Sequence, residues 1–313
     1  MKALFLCDHD QYFRKMSRVR FHSMKAVGEL CDLKWSGNNW ENYNNDLTVQ
    51  ENIDILYKNE EEPDVVVAYK PLELKNFSDV NAVKCIRYNE MYDEAWTTKE
   101  ILESGPDVVV CHHLNDMLEY KDKFPNLKFV NVPHGAEKTI FKDYGLEKKV
   151  DILLAGSIWH VSKLGNHYPL RRRIAGILKR MSKEYKCGVF PHPGGNLYNA
   201  HKDIYARQFA MAVNSTKICV TCSGLPKSRF GKYVEIPMCA SAIAADLPDE
   251  QQDQFKNFVI DINTSMSDQE IMDKLIYYIE NDSARQEKID IGLKYAEKNT
   301  QEEYARRFIN IFQ

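Results

Sequence analysis

Long apolar runs, low-complexity tracts and an excess of charge of one sign are all lacking in this 313-residue sequence. Its 42 basic and 45 acidic side chains leave a formal charge of −3, so no global field attracts nucleic acid or an anionic membrane. No segment approaches the roughly 20 apolar residues that a membrane-spanning helix needs. No internal repeat is found, which argues against a solenoid or a propeller.

Several sequence signatures are also missing. The opening MKALFLCDHD has too short an apolar run for a secretory signal, so we expect a soluble protein located in the cytoplasm. It has no G-x-G-x-x-G after the first predicted strand, which argues against a nicotinamide-dependent dehydrogenase, and the chain has no Walker P-loop.

The eight cysteines are scattered, mostly inside apolar runs, which favours buried thiols in a reducing compartment. Cys219 and Cys222 have C-x-x-C spacing, but no second pair or nearby histidine completes a zinc site, so we predict no metal.

Short apolar runs alternate with amphipathic segments along the chain, a pattern typical of parallel strands joined by helices. The length favours two domains of about 150 residues. We therefore predict an α/β fold with two Rossmann-like domains facing a cleft, the arrangement called GT-B. The predicted domains are 1–145, 146–296, and a C-terminal helix at 297–313 that packs back toward the first domain.

The predicted elements follow this alternation. Strands are expected at 2–7, 63–69, 82–88, 106–113, 127–133, 148–157, 187–190, 217–222, 242–246 and 258–262. Helices are expected at 17–31, 168–185, 204–215, from about residue 231, at 267–282 and at 301–312. Ser267 and Glu270 form a capping-box pattern at the start of the helix 267–282.

Two segments resemble the glycosyltransferase group that includes retaining GT-B enzymes and the spore-maturation CgeB-like proteins. VPHGAEKTIFKDYGLEKKVDILLAGS (132–157) is similar to that group's interdomain passage. RFGKYVEIPMCASAIAADLP (229–248) is similar to its donor-site helix and following strand. The resemblance implies a donor domain in the C-terminal half, with Glu235 as the residue that binds the donor ribose. The chain departs from the group at Lys227, where many members have a Glu, and at Ala240, where they have a Gly.

The implied reaction is transfer of a sugar from a nucleotide-diphosphate sugar to a hydroxyl of a glycan or other acceptor, without a metal or other cofactor. A departing diphosphate needs cationic side chains near it. We predict a donor site made of Gly156, Ser157, Lys163, Arg171, His192, Arg229, Lys232 and Glu235. Of the three consecutive arginines at 171–173, one is expected to reach the site, because neighbours diverge by about 100° around a helix.

The acceptor side is predicted from strand ends alone. Glu90, His113 and His134 are candidate catalytic groups, and Asp8 and His9 are candidate acceptor-side residues. The aromatic-rich 35–45 segment could stack on a sugar, close as a lid or form an interface. A non-catalytic sugar-nucleotide or glycan-binding protein is the main alternative function, and a nucleotide-sugar epimerase is a weaker one. The donor sugar, the acceptor, the stereochemistry of transfer and the oligomeric state stay open.

Overall fold

A computed structural model describes residues 1–12, 18–158, 167–190 and 201–313. The chain divides into two compact units: unit 1 is Met1–Pro133 with Glu302–Gln313, and unit 2 is His134–Gln301. Each unit is built on a parallel sheet covered by helices, which is the α/β class predicted from the alternation.

Unit 1 contains a six-stranded parallel sheet in the order β2-β1-β3-β4-β5-β6. Its strands are β1 (Lys2–Leu6), β2 (Asp32–Ser36), β3 (Val65–Ala68), β4 (Val83–Tyr88), β5 (Val108–Cys111) and β6 (Lys128–Asn131). Its helices are α1 (Arg18–Gly28), α2 (Val49–Leu56), α3 (Glu94–Ser104) and α4 (Leu114–Lys123), with short 3₁₀ helices at Pro71–Glu73 and Phe77–Asp79. The sheet is sealed on both faces, which explains the unbroken valine runs.

Unit 2 contains a five-stranded parallel sheet in the order β11-β10-β9-β7-β8. Its strands are β7 (Val150–Ala155), β8 (Cys187–Phe190), β9 (Thr216–Val220), β10 (Ala242–Ala245) and β11 (Ile260–Asp261). Its helices are α5 (Pro169–Met181), α6 (His201–Asn214), α7 (Lys232–Met238), α8 (Gln252–Phe258), α9 (Asp268–Glu280) and α10 (Asp282–Glu297). The last helix, α11 (Gln301–Ile309), belongs to unit 1 from its second residue onward.

Alternation along the strands of unit 2 divides its core into two layers. Leu153 and Ala155 of β7 pack with the layer that contains α6, α7 and α10. Ile152 and Leu154 face the opposite layer, which contains α5 and α9. Successive side chains of a strand point to opposite faces, so one short apolar strand serves both layers. The carboxyl ends of all five strands then meet at one edge of the sheet.

Candidate functional site

The strand order of unit 2 reverses at β7, and this reversal locates the candidate donor site. β8 pairs with one side of β7 and β9 with the other. In open parallel sheets, ligands bind outside the carboxyl ends of the strands where the order reverses. Gly156 and Ser157 follow β7 at this edge, and Thr221, Cys222 and Ser223 follow β9.

Arg171, in the first turn of α5, lies between these two loops and is 3% exposed. Its Nη1 donates to the carbonyl oxygen of Ser157 at 3.5 Å, and its Nη2 donates to that of Cys222 at 3.3 Å. Nε has no hydrogen-bond partner. No ion pair among the residues that the structure describes includes Arg171. The reversal point therefore holds a buried positive charge that forms no ion pair with a carboxylate of the described residues.

Gly156 is the residue that makes room for this guanidinium. Its φ of +105° lies in a region that L side chains rarely adopt, and a Cβ there would lie 2.5 Å from Nη1 and 2.8 Å from Cζ of Arg171. Tyr168 covers another side of the cation, with its ring centroid 4.0 Å from Cζ. A phosphate that approaches the loop after β7 would thus meet the Arg171 cation.

The neighbouring arginines of α5 point elsewhere. Arg172 is exposed. Arg173 donates from Nε to Asp268 Oδ1 at 2.6 Å and from Nη1 to the carbonyl oxygen of Thr264 at 3.1 Å. Of the three consecutive arginines, Arg171 is the one that points into the unit, because each residue turns the helix by about 100°.

Arg229 is completely buried and holds parts of unit 2 together. Its Nε donates to Tyr295 Oη at 2.6 Å, and its Nη1 donates to the carbonyl oxygen of His134 at 2.8 Å. Its backbone N–H donates to Glu250 Oε1 at 3.0 Å. Burial raises the pKa of the Glu250 carboxyl, and the nearby charge of Arg229 opposes that shift. Nη2 of Arg229 is buried without a hydrogen-bond partner. Arg229 differs from Arg171 in that its two guanidinium bonds are short, at 2.6 Å and 2.8 Å against 3.3 Å and 3.5 Å.

Lys232 and Glu235 share the first turn of α7. Glu235 is 2% exposed, and Lys232 is partly buried with its Nζ 5.8 Å from the ring centroid of Phe209. The two residues are three positions apart, a spacing that puts their side chains on the same side of a helix. The other two predicted donor residues, Lys163 and His192, lie outside the described residues.

Lys227 and Asp246 connect the loops after β9 and β10. Lys227 Nζ lies 2.8 Å from Asp246 Oδ2, and the same oxygen accepts from Ser223 Oγ at 2.6 Å. The Ser223 N–H donates to Asp246 Oδ1 at 2.8 Å. A cavity of about 320 Å³ opens beside this cluster, lined by Lys227, Leu247, Gln252, Asp261, Asn263, Thr264 and Ser265. Lys227 stands where many members of the resembled glycosyltransferase group have a Glu. The chain thus has a cation, already paired with Asp246, at the carboxyl edge of the sheet.

The acceptor-side candidates of unit 1 follow β1. Asp8 accepts from the Gln11 N–H through Oδ1 and from Asn39 Nδ2 through Oδ2, both at 2.6 Å. His9 packs edge-to-face on Trp40, with ring centroids 4.9 Å apart. Trp40 also donates from Nε1 to the carbonyl oxygen of Cys7 at 3.0 Å. The aromatic-rich segment 35–45, which begins in β2, is therefore attached to unit 1 through Trp40.

The catalytic candidates of unit 1 follow β4 and β5. Glu90 comes after β4 and is partly exposed. His113 comes after β5, forms the N-cap residue of α4 and is 0% exposed. The third candidate, His134, belongs to unit 2, is buried and offers its carbonyl oxygen to Arg229.

The sequence analysis missed Asp116, in the first turn of α4. Asp116 is 9% exposed, and its Oδ2 accepts a hydrogen bond from the Met91 N–H at 3.2 Å. The pKa of Asp116 is raised to about 7, chiefly by burial and further by the charges of Glu90 and Glu119, with the Met91 hydrogen bond acting in the opposite direction. An acidic residue in the first turn of a helix is ordinarily explained by the helix dipole, so the sequence offered no signal to single it out.

The cysteines are all free thiols. Cys219 and Cys222 are buried, and burial raises the pKa of Cys219 to about 12. Within the described ranges no three His, Cys, Asp or Glu side chains come together as metal ligands. No helix in the described part of the chain is both long and apolar enough to cross a membrane.

Comparisons with known proteins now bear on this geometry. No protein-family model and no curated protein sequence matches the chain. Solved structures do match, in 144 chains. Sucrose-phosphate synthase from Thermosynechococcus elongatus is 9% identical, with a TM-score of 0.62 over 100% of this chain and 98% of that chain.

Two further solved structures were captured with ligands. Trehalose-6-phosphate synthase from E. coli, solved with UDP-2-fluoro glucose, is 9% identical with a TM-score of 0.64, covering 100% of this chain and 99% of that one. HepE from Anabaena, solved with UDP and glucose, is 8% identical with a TM-score of 0.62, covering 99% of each chain. Likeness at such low identity defines the fold, and the fold is that of the GT-B glycosyltransferases. The predicted α/β class with two Rossmann-like units is confirmed. The CgeB-like resemblance stays a prediction.

Proposed function

We propose that this chain is a glycosyltransferase that moves a sugar from a nucleotide-diphosphate sugar to a hydroxyl of a glycan or other acceptor, without a divalent metal. The observation that carries the proposal is Arg171, a cation buried at the strand-order reversal of unit 2, with one nitrogen unpartnered and no ion pair to a described residue. Burying an unbalanced charge is expensive, so such a charge is best explained by an anionic ligand.

A diphosphate has the chemistry that this place would recognise. When the bond between the sugar and the diphosphate breaks, negative charge develops on the departing oxygens, and preorganised cations stabilise it. The 13-residue helix α5 begins at Pro169 beside Arg171 and has no acidic residue in its first turn. The amides at the start of a helix carry partial positive charge, which adds to that of the guanidinium.

The remaining candidates take supporting roles in the proposal. Glu235 and Lys232 of α7 would bind the donor ribose and a phosphate oxygen, and Ser157 would lie next to the phosphates. Arg229 is proposed to act on the diphosphate indirectly, since its bonds to Tyr295 and His134 fix the loop that leads into α7. The acceptor would bind in unit 1, beside the residues after β1, β4 and β5.

UDP is the first probe to use, because two of the matched proteins were solved with UDP or a UDP-sugar. The test is calorimetric binding of UDP and of uridine to the unaltered protein and to Arg171→Lys, in EDTA and in Mg²⁺. We expect UDP to bind with or without the metal. Arg171→Lys should weaken UDP binding by ~10-fold or more, since a hydrogen bond to a charged group contributes about 1.5–3 kcal/mol. Uridine binding should change little, because uridine has no phosphate.

Arg172→Lys is the matched control, being the exposed neighbour on the same helix, and should bind UDP as the unaltered protein does. If neither UDP nor GDP binds, the donor site is refuted. If UDP binds equally well to both variants, Arg171 has no part in it. Binding without transfer to any acceptor would favour the alternative of a sugar-nucleotide-binding protein.

A further inference from the structure

The loop after β4 is fixed against α4 through one residue, Met91. Its N–H donates to Asp116 Oδ2 at 3.2 Å, and its carbonyl oxygen accepts from Tyr120 Oη at 3.3 Å. Its side chain is buried, with Sδ 3.5 Å from Cys111 Sγ. Both backbone groups and the side chain of Met91 are therefore held. Glu90, the residue before it, is kept close to Asp116 at the carboxyl edge of the unit 1 sheet.

Asp116 is a buried carboxyl with one oxygen left over. Oδ2 accepts the Met91 N–H, whereas no donor among the residues that the structure describes reaches Oδ1. Oδ1 is not among the sealed, unpartnered atoms of the described residues, so it keeps contact with solvent. A carboxylate oxygen that contacts solvent, on a side chain that is otherwise buried, can accept a hydrogen bond from a ligand hydroxyl.

Apart from the Met91 N–H, whose hydrogen bond lowers the pKa of Asp116, the charged groups around Asp116 disfavour its ionised form. Glu90 from the loop after β4 and Glu119 from α4 are negative, and the Cys111 thiol of β5 is buried. His113 at the start of α4 is fully buried. No ion pair among the described residues supplies a cation to Asp116. Burial is the largest cause, with Glu90 and Glu119 adding to it, and together they raise the pKa of Asp116 to about 7.

We propose that Asp116 is the proton acceptor for the acceptor hydroxyl, an inference that rests on the proposed glycosyltransferase function. In the step, the acceptor O–H bond breaks and its proton moves to Asp116 Oδ1. The acceptor oxygen forms the new bond to the anomeric carbon of the donor. The bond from that carbon to the diphosphate oxygen breaks, and its electron pair leaves on the nucleoside diphosphate. Asp116 then returns the proton to solvent.

Asp116 suits this role better than the candidates picked from the sequence. His113 is 0% exposed, so its ring offers no face to a substrate hydroxyl. Glu90 is partly exposed, where water competes for its hydrogen bonds. Asp116 combines a buried environment with one open oxygen. A general base works best when its pKa lies near the operating pH. Glu90 is the positioning residue that tunes it, because its charge acts directly on Asp116.

The test compares Asp116→Asn, Glu90→Gln and Glu119→Gln with the unaltered protein. UDP binding is measured by calorimetry, and UDP release from UDP-glucose is followed from pH 5 to 9 with glycerol as the acceptor. The asparagine can still accept the Met91 N–H through its amide oxygen, so the fold should be kept. We expect kcat to fall by ~10²-fold or more in Asp116→Asn, the usual contribution of a general base, with KM for UDP-glucose little changed.

The pH profile separates a proton acceptor from a structural residue. In the unaltered protein the rate should fall as the pH drops below about 7, because Asp116 becomes protonated. Glu90→Gln should move that fall to lower pH, since removing the neighbouring charge lowers the pKa of Asp116. Glu119→Gln, on the same helix, should move it less and keep kcat.

Each outcome decides a separate point. If neither UDP nor GDP binds to the unaltered protein, the proposed function itself is refuted. If the unaltered protein binds UDP and turns over UDP-glucose, and Asp116→Asn does so with the same rate and pH profile, this inference alone is overturned. If UDP-glucose is not turned over, the Asp116 carboxyl is titrated by ¹³C NMR, with Asp116→Asn to assign its signal. A midpoint near pH 7 that falls in Glu90→Gln supports the inference, and a midpoint near pH 4 overturns it.

Discussion

Three buried arginines in the described part of the chain form no ion pair, and they differ in how their charge is satisfied. Arg87 donates from Nε to Tyr304 Oη at 2.8 Å and from Nη2 to Ser23 Oγ. Arg229 donates from Nε to a tyrosine hydroxyl at 2.6 Å. Arg171 has only two carbonyl oxygens, at 3.3 Å and 3.5 Å, and its Nε has no partner. Arg229 Nη2 is also buried without a hydrogen-bond partner, but its Nε and Nη1 bonds are short, at 2.6 Å and 2.8 Å. Because a weakly satisfied buried polar group is costly, Arg171 is the one of the three that would gain most from a ligand.

Gly156→Ala should disrupt the Arg171 site. The new Cβ would lie 2.5 Å from Arg171 Nη1, and the φ of +105° is strained for alanine in any case. We expect the free energy of unfolding to fall by ~2 kcal/mol or more, in the range for a strained backbone position, and UDP binding to weaken because the guanidinium must move. Urea melts and calorimetry would measure the two effects.

Gly145→Ala is the control for this change. Gly145 also has a positive φ, of +65°, but its Cβ would meet nothing within 4 Å. It should lose about 1 kcal/mol from the backbone alone and bind UDP normally. Equal UDP binding by the two alanine variants would show that the position of Arg171 does not matter for the ligand.

The sequence could identify part of this site and not the rest. Helical periodicity indicates that one of three adjacent arginines turns inward, so Arg171 was reachable from the sequence. The two carbonyl oxygens that accept its hydrogen bonds could not be predicted, because Ser157 and Cys222 are 65 residues apart and meet only in the folded sheet. Asp116 was invisible for a similar reason: its pKa depends on Glu90 and on burial, neither of which is written in the residues around it.

At the scale of elements, the two chain segments that join the units form a small parallel bridge within unit 2. Ala136 pairs with Thr300. The Ala136 N–H donates to the Asn299 carbonyl oxygen at 2.9 Å, and the Gln301 N–H donates to the Ala136 carbonyl oxygen at 3.0 Å. Gln301 Nε2 donates to the Gly135 carbonyl oxygen at 2.8 Å. Arg229 holds the next carbonyl, that of His134, so this bridge and the loop before α7 are one hydrogen-bonded structure.

Gly135→Ala should break that bridge. Its Cβ would lie 2.3 Å from the carbonyl oxygen of Thr300 and 2.5 Å from the carbonyl carbon, and both belong to the backbone, which cannot rotate away. We expect a loss of several kcal/mol in the free energy of unfolding, the size seen for severe overpacking. Hydrogen exchange should show faster exchange at the Ala136 and Gln301 amides.

Gly176→Ala provides the matched control. Gly176 lies inside α5, where an added Cβ meets nothing within 4 Å. Alanine is about 1 kcal/mol better than glycine in a helix, so this variant should gain stability. A Gly135→Ala protein as stable as the unaltered one would show that the bridge is not needed.

The elements themselves were predictable where the pattern was strong. The valine runs gave β3 and β5, and the capping box before α9 is present, with the Glu270 N–H bonded to Ser267 Oγ at 3.2 Å. The strand β2 and the helices α2, α3, α4, α8 and α10 were not predicted. β2 is an edge strand with one fully buried residue, Ser36, so it lacks both the alternation and the apolar run that identify strands.

At the scale of the whole molecule, unit 1 is built from both ends of the chain. Tyr304 and Phe308 of α11 lie in the same buried cluster as Phe5 of β1 and Val67 of β3. Tyr304 also holds the buried Arg87. The last 12 residues therefore complete a core whose other buried members, Val132 being the nearest in sequence, lie at Val132 or earlier in the chain, whereas unit 2 is one continuous segment. The stability of unit 1 should depend on α11 far more than that of unit 2 does.

Phe308→Ala should test this dependence on the chain's end. Phe308 is fully buried, and its ring is stacked on that of Tyr304 with centroids 6.1 Å apart and tilted against that of Phe312 with centroids 5.5 Å apart. Replacing a buried phenylalanine by alanine costs about 3–5 kcal/mol. Hydrogen exchange followed by mass spectrometry should show faster exchange in the strands of unit 1, while the strands of unit 2 keep their protection. Arg306→Ala, on the exposed side of α11, should leave both units as they are. Equal loss of protection in the two units would mean that they unfold as one.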